Sequence, residues 1–246
     1  MEKISATIIT KNEEKNIDRC LFSLDWVDEI VVVDSGSTDK TLEICKKYGC
    51  KIFQTEWMGF GKTKQLAVDK TSNNWVLSID ADEYISKELK KRLINFDVNN
   101  CLGYKIKRSS FYLNRKIKYS GWQSDFPIRL FNKEYGGFNQ KEVHESIEVR
   151  GLVCKIKHEI LHYPFPSITA HVNKINLYTE LGAQELFKKN KKTTIIYAFI
   201  SGISKFIKMY FIKFGFLDGK EGLILAILSG YYSMLKYLKL WSLYKK

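Results

Sequence analysis

Three carboxylates crowd one short stretch of the chain: Asp80, Asp82 and Glu83, in NWVLSIDADEY, residues 74–84. Two carboxylates at i and i+2 can reach one hard cation when the backbone turns between them. Mg2+ and Mn2+ take oxygen ligands and are usually held by one or two carboxylates plus substrate phosphates. Asp80 and Asp82 therefore read as ligands of such an ion, which would neutralise a departing diphosphate. A surface turn with helix-capping acids is the plain alternative, since an isolated DxD is common by chance. The setting favours chemistry. An apolar run, Trp75-Val76-Leu77, leads to these acids, and two other strand-like runs end on Thr10-Lys11-Asn12 and on Asp34. An Asp at a strand tip can accept hydrogen bonds from a base or a ribose hydroxyl. Ser37, Thr38 and Asp39 suit the N-cap of a following helix, Asp39 especially.

Other residues are weaker candidates. Gly59-x-Gly61 has neither dinucleotide nor P-loop spacing, so a tight loop before a helix is the simpler reading. Lys62 and Lys64, just after it, could still assist a diphosphate. An imidazole at His162 could complete a metal's coordination, although a lone His before Tyr-Pro is more often packed. His158 and His171 are less favoured still. Trp122 and Phe126 offer an aromatic wall for a sugar or, equally, core.

These residues need a scaffold that brings strand ends together. Residues 4–10 and 29–33 read as strands, and 50–54 as a short third. Asn12 is expected to cap a helix running to about residue 24, with Glu13 and Glu14 in its first turn. Further helices are expected to run from the turn 35–39 to about Tyr48, over 62–69 and over 86–96. Short alternation of continuous apolar strands with helices predicts an α/β fold with a mostly parallel sheet covered on both faces. Ligands of such sheets sit beyond the carboxyl ends of the strands. After Glu83 the runs 102–108 and 128–131 alternate more, which predicts antiparallel additions.

Composition sets the wider frame. With 246 residues and 45% hydrophobic content, the chain can bury a sizeable core. Its net charge of +13 is uneven: from Lys188 to Lys246 there are 12 Lys against Asp218 and Glu221, a net +10 that leaves +3 elsewhere. Acidic lipid headgroups and nucleic acid are the partners such a segment suits. Five cysteines, an odd number without a CxxC pair, argue against a disulfide framework and a zinc site. With no signal peptide visible at Met1–Ser5, a reducing cytoplasm is expected. The charge-free runs 193–204 and 222–235 span 12 and 14 residues, short of the roughly 20 a spanning helix needs. Lys205, Lys208 and Lys213 share one helical side, with Phe206, Ile207, Tyr210 and Phe211 on the opposite side or its flanks, so interfacial amphipathic helices are expected.

At this point the sequence resembles glycosyltransferase family 2, the inverting nucleotide-sugar transferases of GT-A fold. Within it the likeness is to the small lipopolysaccharide-core β-1,4-glucosyltransferase type. The stretches TIITKNEEKNIDRCLFSL, DEIVVVDSGSTDKT, WMGFGKTKQLAV and WVLSIDADE carry it, and IRLFNKEYGGFNQKEVHESI and HYPF extend it. The tail from Lys208 to Leu240 is similar to the family's membrane-associated end. The resemblance implies domains 1–165, binding the nucleotide sugar, and 166–246, helical and basic. It implies that Asp34 recognises the nucleotide with Thr10 and Asn12 nearby, that Asp80 meets ribose or metal, and that Asp82 ligates Mg2+ or Mn2+. The family's later acidic pair is absent; Val143-His144-Glu145 stands there, which makes Glu145 the expected base, with Asp125 second. UDP-glucose as donor, a lipid-linked or lipopolysaccharide-core acceptor, and a place on the inner face of the cytoplasmic membrane are implied likewise.

Two other readings compete. A nucleic-acid-binding protein would want RNP aromatics, a zinc site or a helix-turn-helix, and none is visible, so no nucleic acid is expected. A sugar-phosphate nucleotidyltransferase would want a Gly-, Arg- and Lys-bearing loop after the first strand, where Thr10-Lys11-Asn12-Glu13-Glu14 stands. Nothing in the pattern specifies an oligomer.

Overall fold

A computed structural model describes residues 2–95, 100–123, 125–139 and 145–245. Strands and helices alternate at the start: β1 (Ile4–Thr10), α1 (Ile17–Phe22), β2 (Glu29–Asp34), α2 (Thr41–Lys47), β3 (Lys51–Gln54), α3 (Phe60–Asp69) and β4 (Trp75–Ser78). Next come β5 (Glu83–Ile85), α4 (Lys87–Ile94), β6 (Gly103–Tyr112), β7 (Arg115–Lys116), β8 (Ile128–Asn132), β9 (Gly136–Phe138), β10 (Ile147–Val149) and β11 (Val153–Phe165). Helices α5 (Ile168–Lys188), α6 (Ile195–Ile207) and α7 (Gly219–Leu243) follow. A π-helical turn, Lys208–Ile212, and a 3-10 turn, Gly215–Asp218, lie between α6 and α7.

The main sheet has the order β3-β2-β1-β4-β8-β6-β11-β5, with β7 on β6. β3, β2, β1 and β4 are parallel neighbours, and β8 joins β4 antiparallel. The expected α/β scaffold, a parallel sheet with antiparallel additions and a helical C-terminal extension, is therefore present. Register sets the strand ends side by side: Thr10 pairs with Asp34, and Thr7 with Ser78, two residues before Asp80. Ile8, Val32 and Leu77 are fully or almost fully buried because helices cover the strands; Ile17, Leu21 and Leu24 close one such face. Leu77→Ala would cost about 2–5 kcal/mol.

The chain divides into two compact units, residues 1–108 with 125–162, and residues 109–124 with 163–246. In the second, α7 packs against both α5 and α6. A Cβ on Gly230 would lie 2.8 Å from the carbonyl oxygen of Gly202, so α6 and α7 pass almost backbone to backbone. Ser201 and Ser233 share a 2.6 Å hydrogen bond at that crossing. Asp218 accepts from the backbone N–H of Lys118 (2.9 Å) and Tyr119 (3.0 Å). His171 stacks on Phe165 at 3.8 Å and meets the Tyr112 hydroxyl through Nδ1 at 3.0 Å. Burial, then the nearby Lys174 charge, push its pKa down from 6.5 to about 4, so it is a core histidine.

Three expectations need correction. Asn12 does not cap a helix: it takes a left-handed φ of 56°, and α1 begins only at Ile17. Cys101 and Cys154 form a disulfide, brought together where the Leu102 N–H donates to the Leu152 carbonyl oxygen at 2.8 Å. The cysteine argument for a reducing compartment accordingly loses its support. Counting charge-free residues also understated the tail, because helix continues through Lys205 and Lys208. Ile195–Ile212 (18 residues) and Gly215–Leu243 (29 residues) are long and apolar enough to cross a membrane, by length and composition alone. Long lysine side chains are tolerated in such helices because they reach sideways to water.

Candidate active site

The rim begins where β1 and β2 end. Asp34 is fully buried and accepts from Thr10 Oγ1 (3.0 Å), Gly36 N (3.0 Å), Ser37 N (2.9 Å) and Ser37 Oγ. Asn12 clasps the same loop, its N–H donating to Ser37 Oγ and its Oδ1 accepting from Thr38 N at 2.8 Å. Gly36 holds φ at 85°, which a side chain would strain although the space around it is open. Asp39 accepts from Thr41 N and Glu14 N. Burial raises its pKa, but the bonds from Thr41 and Glu14 hold it below the usual value. Asp34, Asn12 and Thr10 thus stand together, engaged with one another in shaping the loop.

At the end of β4 lies a buried cluster of charges. Lys64 Nζ, from α3, is 2.8 Å from Asp80 Oδ1 and 2.9 Å from Glu145 Oε1. Arg129, from β8, reaches Asp80 Oδ2 at 2.7 Å and Glu83 Oε1 at 2.5 Å through the same Nη2. Arg108 joins Glu83 at 3.2 Å and Asp125 at 2.6 Å. Burial alone would raise the Asp80 pKa; Arg129 and then Lys64 outweigh it and hold the carboxyl well below its usual range. Burial likewise opposes the charge on Arg129, and Asp80 and Glu83 more than restore it. Lys64 is also held up, by Asp80 foremost against its burial. Formally, three cations (Lys64, Arg108, Arg129) face four carboxylates (Asp80, Glu83, Asp125, Glu145), a net of −1. Counting Asp82 makes it −2, an excess that suits a divalent cation.

Asp82 Oδ1 lies 3.5 Å from His162 Nε2 on β11. Both side chains are mostly buried, and β11 brings His162 opposite Glu83 by pairing with β5. A carboxylate and an imidazole side by side are a partial donor set for Mn2+ or Mg2+, leaving places for diphosphate oxygens. Among the described residues no group of three or more His, Cys, Asp or Glu is arranged to hold a metal. Both carboxylate oxygens of Asp80 are engaged, Oδ1 by Lys64 and Oδ2 by Arg129.

The expected residues therefore fall into neighbouring sets: Thr10, Asn12 and Asp34 at one loop, Lys64, Asp80 and Glu145 in the cluster, and Asp82 with His162. Asp125 is held by Arg108 and is more exposed than Glu145, 38% against 18% for the side chains. His144 lies outside the described residues. Phe126 carries the Lys155 ammonium on its face at 3.7 Å, and Trp122 packs in the second unit beside Tyr112 and Ile117. Arg129 and Arg108 were missed as cluster members. The signal was available in Ile128-Arg129-Leu130-Phe131: a cation inside an apolar strand requires a buried acid. Buried Arg129 Nε and Ser35 Oγ have no hydrogen-bond partner among the described residues.

Comparison with known proteins bears on this arrangement. The sequence profile described as Glycosyl transferase family 2 matches residues 5–150. An uncharacterised glycosyltransferase of Rickettsia typhi is 33% identical, over 98% of this chain and 87% of the relative. The lipopolysaccharide core biosynthesis glycosyltransferase LpsC of Rhizobium meliloti is 27% identical, over 97% of this chain and 92% of its own. Among solved structures, Staphylococcus aureus TarS 1–349 in complex with UDP-GlcNAc is similar at a TM-score of 0.49 and 17% identity, covering 99% of this chain and 91% of that one.

Proposed function

Since this chain belongs to glycosyl transferase family 2, and is by that membership a hexosyltransferase, we propose that it moves a sugar from a nucleoside diphosphate to an acceptor hydroxyl with inversion. One observation carries the reading: Lys64 Nζ joins Asp80, at 2.8 Å, to Glu145, at 2.9 Å. A single cation thus links the strand end where a donor would lie to the carboxylate that would act on the acceptor.

The roles follow from chemistry. Glu145 accepts the proton of the acceptor hydroxyl while that oxygen attacks the anomeric carbon. The bond from that carbon to the diphosphate oxygen breaks on the opposite face, and its electron pair leaves with the diphosphate. One displacement inverts the centre, so a single base suffices. Asp125, tied to Arg108, is the second candidate for that base. Lys64 can exchange a carboxylate for a phosphate oxygen, which would leave Glu145 free to act. Arg129 keeps Asp80 ionised and in place. Asp34, Asn12 and Thr10 shape the loop against which the nucleotide rests. Asp82 and His162 would hold Mg2+ or Mn2+, with Asp80 behind them. When bound, the ion would neutralise charge growing on the diphosphate.

UDP-glucose is the donor we propose. A lipopolysaccharide-core or other lipid-linked glycan is the proposed acceptor, in keeping with the name of the LpsC relative. The protein would then work peripherally on the inner face of the cytoplasmic membrane. The test is a panel of nucleotide sugars with Mg2+ or Mn2+, followed for slow donor hydrolysis, which requires no known acceptor. UDP-glucose should be consumed above the other donors and only with the ion present. Consumption of none of them, with either ion, would contradict the proposal.

A further inference from the structure

We infer that Gln65 is a positioning residue: it registers the β9–β10 hairpin on α3 and so sets the Glu145 carboxylate against Lys64. This rests on the catalytic role of Glu145 proposed above and names what holds that base in place. β9 pairs antiparallel with β10, from Gly136 opposite Val149 to Phe138 opposite Ile147. Glu145 lies in the connection between them, two residues before β10 begins. The hairpin is a separate two-stranded sheet, off the ladder of the main one. Apolar packing seats it: Phe138, Ile147 and Val149 join Val68 of α3 and Phe131 of β8 in one cluster. Such packing is non-directional, so it holds the hairpin down without fixing where along α3 it stops. A hydrogen bond has a set length and direction. Gln65 supplies one, its Oε1 accepting from the Phe138 N–H at 2.7 Å.

Both ends of this amide are committed. Nε2 donates to Asp69 Oδ1, one turn further along α3, at 2.7 Å, which leaves Oε1 turned to the hairpin. The strand comes this close only because glycine stands there: a Cβ on Gly137 would lie 2.8 Å from Gln65 Oε1. Asn139 is the next link. Its N–H donates to the Ser146 carbonyl oxygen at 3.0 Å, and its Nδ2 to Ser146 Oγ at 2.7 Å. Ser146 is the neighbour of Glu145, and Glu145 Oε1 returns to α3 at Lys64 Nζ, 2.9 Å away. Amide, hairpin mouth, carboxylate and ammonium thus close a circuit that starts and ends on consecutive residues, Gln65 and Lys64. The Lys64 ammonium also stands 5.8 Å from the centre of the Phe138 ring. Cutting the circuit at Gln65 leaves the apolar cluster whole, so the hairpin stays folded while its loop can slide. A misplacement of about 1 Å can cost about 10²-fold in rate.

The test uses the full chain and slow hydrolysis of UDP-glucose with Mn2+, in which Glu145 takes its proton from water. Gln65→Ala should lower kcat about 10–10²-fold and leave KM for UDP-glucose within about twofold of wild type. Its melting temperature should fall by no more than about 4 °C, the loss of one hydrogen bond. Hydrogen exchange at the Phe138 amide should accelerate about tenfold, since its partner is gone. Gln65→Glu combined with Asp69→Asn exchanges donor and acceptor between the two side chains and keeps an acceptor for the Phe138 N–H. It should restore most of kcat and the protection at Phe138. An active wild type matched in kcat by Gln65→Ala would overturn the role. So would a KM that rises as kcat falls, or a double variant as slow as Gln65→Ala. Those failures leave the catalytic proposal standing, whereas no hydrolysis by wild-type protein would fault that proposal and this role with it.

Discussion

In the unit of residues 1–108 and 125–162, ionised side chains go inside; in the helical unit, apolar side chains stay outside. Arg129 and Glu83 are buried against each other, whereas Ile196 is 73% exposed. Burying charges is costly unless they are paired, and leaving apolar groups in water forgoes their stabilisation. A fold that accepts both departures in separate places has two surfaces whose design is not explained by stability. The first is suited to polar ligands; the second leaves apolar side chains exposed.

The sharpest way to break this contrast is Arg129→Met. It strands Asp80 and Glu83 without their shared cation, and should cost about 3–5 kcal/mol in chemical denaturation along with all activity. Arg129→Lys should restore part of the stability. Second, Glu145→Gln should keep nucleotide binding and lose about 10²–10⁴-fold in transfer, read by single-turnover assay. If Asp125→Asn is the dead variant instead, the base is Asp125. Third, acid should weaken the helical unit through His171. Its folded pKa, about 4, lies below its ordinary 6.5, so the unfolded chain binds the proton first. The stability present above 6.5 is lost as pH falls toward 4, by about 3 kcal/mol at most. His171→Phe should flatten that slope in urea titrations from pH 7 to 4. Smallest, Ile203→Ser in detergent-free buffer should change stability by less than about 0.5 kcal/mol, because the side chain already faces solvent.

Much of the first unit was legible because local signals and tertiary structure agree there. The strand 4–10 and the run to Asp34 follow from apolar runs, and the helix expected from residue 86 is present as Lys87–Ile94, capped by Ser86. Asp80, Asp82, Lys64 and Glu145 could each be named from the sequence. Their partition was not legible, since it depends on Arg129 arriving from β8, 49 residues beyond Asp80. Asn12 misled because an Asn before two Glu suits a cap, yet its side chain is taken by Thr38 on the neighbouring loop. The Cys101–Cys154 bond was hidden for a like reason: 53 residues separate the pair, and only strand pairing brings them together. In the helical unit, lysines at 205 and 208 looked like breaks in an apolar run, whereas a helix carries them on its flank.

The central claim is that the charged cluster takes a nucleoside diphosphate with a divalent ion. Isothermal titration of UDP into the wild-type protein and Asp82→Ala, with and without Mn2+, tests it most directly. The account predicts saturable uptake that requires the ion and weakens at least tenfold in the variant, at unchanged melting temperature. Equal uptake by both proteins, or none under any condition, would contradict it.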